Sequence, residues 1–125
     1  MQTIVLIMKR KSFAQSLMRL MAEEKDIQLF FQPDYADADM AIRGYGAKCA
    51  LIEVAENEEY GMDYCLALCG WLQKETPECK LLLMCPESDT ECVEAAIAAK
   101  RSNQISDFIF YDTSLEYLVS KLLSL

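Results

Sequence analysis

The sequence predicts an α/β fold of three layers, a doubly wound sheet of five parallel strands with helices on both faces. Two observations predict it. Five short apolar runs alternate with five segments of helical period along the 125 residues. The runs are apolar at successive positions, as in TIVLIM and LLLMC, which is what strands covered on both faces require. Repeated β-α units of this length return the chain to a parallel neighbour through right-handed crossovers.

Each element has a local reason. The first strand is the run at 3–8. Residues 12–25 place Phe13, Leu17, Leu20 and Met21 on one helical stripe, with Ser12 standing at the N-cap. A short second strand follows at 27–31, then a weak helix over 34–43 that Gly44 and Gly46 end. The third strand is CALIEV, 49–54. A helix over 60–73 turns Met62, Cys65, Leu66, Cys69 and Leu72 inward. Pro86 stops the fourth strand at 79–85. An alanine-rich helix over 89–101 has Asp89 or Thr90 as its cap. DFIFY, 107–111, is the fifth strand. The last helix, 114–123, is capped by Ser114 and faces inward with Leu115, Leu118 and Leu122, Val119 being a further candidate. No linker, repeat or low-complexity tract remains, so residues 1–125 read as one domain.

Composition narrows the function classes. Hydrophobic residues make up 53% of the chain and charged residues 26%, enough for a core and a hydrated surface. The net charge of −8 repels a phosphate backbone, so this chain alone is not expected to bind nucleic acid. The one basic run, Lys9-Arg10-Lys11, reads as a solvated loop. No apolar run approaches the length of a membrane span. The start of the chain is apolar first and basic second, the wrong order for a secretory signal, so a cytoplasmic location is expected. The six cysteines then read as reduced, mostly packed thiols. Without a histidine in the chain, a metal-thiolate site lacks ligands.

The stretch KCALIEVAENEEYG, 48–61, singles out one acid. Strand three delivers Glu53 to its carboxyl end, where open α/β sheets gather their ligands. The other strand ends offer Met8, Lys9 and Arg10 after strand one, Cys85 at strand four and Tyr111 at strand five. No G-x-G-x-x-G, no G-x-x-x-x-G-K-[ST] and no G-x-S-x-G occurs, and no Ser-His or Cys-His pair can form. No catalytic turnover and no cofactor are expected.

This order and spacing resembles a response-regulator receiver domain, of the flavodoxin-like class, over essentially the whole chain. The resemblance puts Glu53 where receivers keep the phosphate-accepting aspartate and Gly61 at the glycine of the following loop. SDFIFYDTSLEYLVSKLL, 106–123, is similar to the receiver ending, with Tyr111 at the position of the family's lysine and Asp112 at its proline. Cys85 falls on the hydroxyl residue, and Met8 and Lys9 on the acidic pair that binds magnesium. Every functional position is thus substituted, which implies a pseudo-receiver that is not phosphorylated and acts through a protein partner or a homodimer. The implied contact face is the fourth helix, fifth strand and fifth helix, with Glu94, Ala98, Phe110, Tyr111, Tyr117 and Lys121 as candidates. Glu53 is expected to mimic the phosphorylated aspartate or to stand idle at a strand end. Lys9 is expected to pair with it or to remain in solvent. Cys85 reads as a packed thiol without redox chemistry. Two alternatives stay open: an unusual phosphoacceptor using Glu53 or Glu56, both also serving as metal ligands, and a flavodoxin-like domain with a small ligand in the same cleft.

Overall fold

The computed structural model describes residues 2–56 and 59–125. Its five strands are β1 (Gln2–Ile7), β2 (Ile27–Gln32), β3 (Cys49–Glu53), β4 (Lys80–Cys85) and β5 (Asp107–Phe110). They form one sheet in the order β2-β1-β3-β4-β5, and every neighbouring pair is parallel. The helices are α1 (Lys11–Leu20), α2 (Ala38–Tyr45), α3 (Met62–Glu75), α4 (Thr90–Arg101) and α5 (Leu115–Leu123). A single 3-10 turn, Tyr35–Asp37, leads into α2. The three-layer reading is therefore met. Among the described residues, no helix is long and apolar enough to cross a membrane.

Side chains alternate along each strand and so feed two separate cores. Val5, Ile7, Ala50, Ile52, Leu81, Leu83 and Cys85 pack against α2, α3 and α4. Ile4, Leu6, Met8, Leu51, Leu82, Met84 and Ile109 pack against α1 and α5. This two-sided burial explains why the strands read as continuous apolar runs.

Three local expectations change. Helix α1 begins one residue before Ser12; Arg10 is the N-cap residue and its side chain makes no capping bond. Leu20 is 50% exposed, because Ala14, Leu17 and Met21 form the buried stripe and α1 ends at that turn. Gly44 lies inside α2, and Gly46 alone ends it, in the left-handed conformation (φ 62°) that glycine adopts without strain. The Asp89 and Ser114 caps form as expected, each side chain accepting the backbone N–H three residues on. Asn57 and Glu58, within the stretch 48–61, lie outside the described residues.

Candidate functional site

Strand β3 ends at Glu53, and the alternation that sends Cys49 and Leu51 to the α1/α5 side carries Glu53 to that side at the carboxyl edge of the sheet. Glu53 is 3% exposed, the one buried charged side chain among the described residues. A carboxylate so placed requires hydrogen-bond and charge partners. It has both. The Lys9 backbone N–H donates to Oε1 at 3.1 Å, and the Arg10 guanidinium donates through Nε to Oε2 as an ion pair. The Glu53 backbone is held too: its carbonyl accepts the Tyr35 hydroxyl at 2.5 Å and the Cys65 thiol at 3.8 Å.

Arg10 and Lys9 leave the loop after β1 in different directions. The Arg10 guanidinium carbon lies 4.7 Å from the centre of the Phe13 ring and 4.8 Å from that of Tyr111. Its Nη2 lies 3.9 Å from the Met84 sulfur. Planar guanidinium suits such stacking while still reaching a carboxylate. The Lys9 ammonium instead sits over the rings of Tyr60 (4.9 Å) and Tyr35 (6.0 Å). Tyr35 stacks on Tyr60 at 4.3 Å, and Tyr64 meets both edge-on at 6.3 and 5.1 Å. The expected Lys9–Glu53 charge pair is thus corrected. Lys9 gives Glu53 only its backbone N–H, and Arg10 supplies the charge. Nor is the basic run merely a solvated loop, since Arg10 is committed to a buried acid.

The remaining strand-end residues separate into two groups. Met8 is fully buried and lies on the α1/α5 side with Met84 and Tyr111. Cys85 is buried on the opposite side, where its thiol donates to the Ile109 carbonyl at 3.6 Å. Burial pushes the Cys85 thiol up to about 11 and that of Cys65 up to about 12, so both are neutral thiols at neutral pH. Tyr111 is half-buried, and its phenol is raised above the usual range by burial and then by the Glu53 charge, with Arg10 opposing. Lys9, Arg10, Glu53, Ala55, Glu56 and Tyr111 line an open cleft of about 340 Å3. Among the described residues, no three acids or thiols gather into a metal-binding group.

This geometry has a wide set of structural relatives. A DNA-binding response regulator of the LuxR family from Staphylococcus aureus superposes with a TM-score of 0.77 at 16% identity, over 99% of this chain and 98% of that one. A CheY-like response regulator receiver domain protein from Methanospirillum hungatei gives 0.78 at 13%, over 99% and 92%. The receiver domain of Francisella response regulator 1452 gives 0.77 at 17%, over 99% and 95%. The fold is that of a receiver domain. No family model matches the sequence, and no curated protein matches it.

Within the receiver fold, Glu53 and Tyr111 come together around Arg10, Met8 lies buried on the same side of the sheet, and Cys85 does not join them. The sequence offers Arg10 at a strand end without a role, and it marks Tyr111 but not Tyr35, Tyr60 or Tyr64. Tyr35, fully buried, was legible only as an aromatic in a weak helix. The signal that could have found Arg10 is its place: second after the apolar run, next to an acid that must be neutralised if buried.

Proposed function

We propose that this chain is a receiver-fold signalling module that does not take up a phosphoryl group and works through protein contacts. The observation that carries this reading is the Arg10–Glu53 ion pair at the carboxyl edge of the sheet. In a phosphorylated receiver an acid at this point receives the phosphoryl group, and a divalent cation held by other acids neutralises the charge that develops. Here the guanidinium already neutralises the acid. The adjoining positions are a buried thioether, Met8, and a lysine whose ammonium lies over tyrosine rings. These residues do not fit Mg²⁺: they offer it a second cation and no acidic pair. Glu53, bonded by Arg10 and Lys9, fills the role of a built-in charged group in one fixed signalling state.

Such a module has no catalytic turnover and acts by contact. The face formed by α4, β5 and α5 is the surface proposed for a protein partner or a second copy. Glu94 and Ala98 are exposed there, Tyr117 is 54% exposed, and Phe110 and Tyr111 are half-buried. The net charge of −8 supports a protein rather than a nucleic-acid partner.

The test is an amide NMR titration with Mg²⁺ and then beryllofluoride. No saturable shifts around Met8, Glu53, Cys85 and Tyr111 are expected. Saturable shifts there would overturn the reading in favour of a working phosphoacceptor that uses Glu53 or Glu56.

A further inference from the structure

We propose that the outer face of α3 is an interface for a second copy of this chain, packed antiparallel about a two-fold axis. It lies apart from the Glu53 cleft and does not depend on the chemistry there. From Tyr64 to Leu72, α3 carries no charged side chain. A helix that is apolar on every side is ordinarily covered on every side. The inner side of α3 is covered, with Cys65, Cys69 and Leu72 buried on the sheet. Both flanks are tied to neighbours. Arg43 of α2 pairs with Glu75 at 2.9 Å, and the Gln104 amide, just past α4, donates to the Leu66 carbonyl at 2.8 Å. The outer side is bare. There Trp71, the one tryptophan of the chain, is 53% exposed. Tyr45, nearly as exposed, stacks on Phe30 at 3.8 Å, whereas Trp71 has no ring partner among the described residues. Tryptophan is enriched where proteins meet, and above all among the residues that hold an interface together.

The order of residues along this face is what selects a second copy as the partner. Asp63, Ala67, Trp71 and Lys74 are all exposed and follow at steps of four, four and three, one line along the helix. The line reads acid, small, large, base. Turned end for end it reads base, large, small, acid. Two copies of α3 laid antiparallel therefore bring each Asp63 opposite the other copy's Lys74. They also seat each Trp71 on the other copy's Ala67, whose small side chain leaves room for it. A two-fold interface requires self-complementarity of this kind. Neither Asp63 nor Lys74 forms an ion pair among the described residues, so both are left to the other copy. The antiparallel setting also lays the positive end of one helix beside the negative end of the other. The line is only about 17 Å long at a rise of about 1.5 Å per residue. Such a patch falls at the small end of specific interfaces, below about 1,200 Å², so the dimer is weak, with a Kd on the order of 10–100 µM. With the second copy on α3, the face of α4, β5 and α5 stays free for a different protein.

The experiment is sedimentation velocity of the full chain from about 10 µM to about 1 mM, a range that brackets a weak dimer. Emission from Trp71, read on the same samples, reports this face alone. The wild-type chain is expected to pass from monomer to dimer, with a blue shift of the emission as the dimer forms. Trp71→Ala is expected to stay monomeric. Asp63→Lys and Lys74→Asp each set like charges opposite one another and are expected to weaken association about tenfold or more. An equal mixture of those two variants restores opposite charges at both contacts. It is expected to recover the wild-type mass and emission, which variants that had lost their fold could not do. A wild-type chain that stays monomeric across the range would overturn the interface. A dimer that both charge variants retain would do the same and move the second copy to another face. A dimer that the variants lose and the mixture does not regain would defeat the antiparallel pairing.

Discussion

Two carboxylates at opposite ends of the sheet are each held by two basic residues, yet they serve different ends. Asp107 opens β5 at the amino edge. It pairs with Lys100 of α4 at 3.0 Å and with Lys121 of α5, and its Oδ1 also accepts its neighbour's N–H, from Phe108, at 2.8 Å. Glu53 closes β3 at the carboxyl edge and pairs with Arg10 and the Lys9 N–H. Asp107 is 20% exposed, Lys100 is half-exposed and Lys121 is partly buried, and both lysines come from helices already packed on the sheet. Glu53 is 3% exposed, and its partners come from the loop that follows β1. The first arrangement pins helices to a strand at a partly exposed edge. The second neutralises a buried charge and fixes a loop over a cleft. The comparison teaches that burial, and not the number of ion pairs, decides where a charge matters.

The sharpest way to break the contrast is Arg10→Ala. It leaves a buried carboxylate with one backbone donor, and is expected to lower stability by about 2–3 kcal/mol, less than the loss at a fully enclosed pair because Arg10 is half-exposed. Urea denaturation at pH 7 measures it. Glu53→Gln is expected to cost less in the same assay, since the amide oxygen still accepts the Lys9 N–H and the arginine is released to water. The reverse order would mean that the buried charge is not what Arg10 supports.

Tyr35→Phe comes next. It removes the hydroxyl that donates to the buried Glu53 carbonyl and leaves the Cys65 thiol as its remaining side-chain donor, at a cost of about 1–2 kcal/mol. Thermal unfolding followed by circular dichroism reads the loss. At the other end of the sheet, Lys121→Ala is expected to cost only about 0–1 kcal/mol, with Lys100 still paired to Asp107. A loss as large as that of Arg10→Ala would erase the distinction between the two ends.

The smallest expected effect is in acid. Burial alone would raise the Asp107 carboxyl, but hydrogen bonds from Lys121, Lys100 and the Phe108 N–H outweigh it and hold the group below its ordinary value of 3.8. A carboxyl depressed in the folded state adds stability above its unfolded value, and that contribution fades as pH falls through the folded value. The stability gap between the protein and Asp107→Asn is therefore expected to be constant at neutral pH and to narrow below about pH 3.8. Melting temperatures of the two proteins across that range check the sign.

The elements most legible in the sequence were those whose signal is local. Buried parallel strands need unbroken apolar runs, and TIVLIM, CALIEV and LLLMC supplied them almost to the residue. Asp89 and Ser114 capped their helices because a capping side chain acts within three residues of itself. The helix stripe at α1 was less legible. Leu20 continues the apolar spacing, but the helix ends there, and a period says nothing about where the sheet beneath it stops.

The sequence by itself determined the sheet, the crossovers and the arrival of Glu53 at a strand end, because apolar period and strand polarity are properties of neighbours along the chain. Only the tertiary structure decided that Arg10 and not Lys9 neutralises that acid, that Tyr35 carries a bond to its carbonyl, and that Cys85 lies on the other side of the sheet. The first two contacts join residues 43 and 18 positions apart, and adjacent side chains of equal charge are distinguished only by which way the loop backbone aims them.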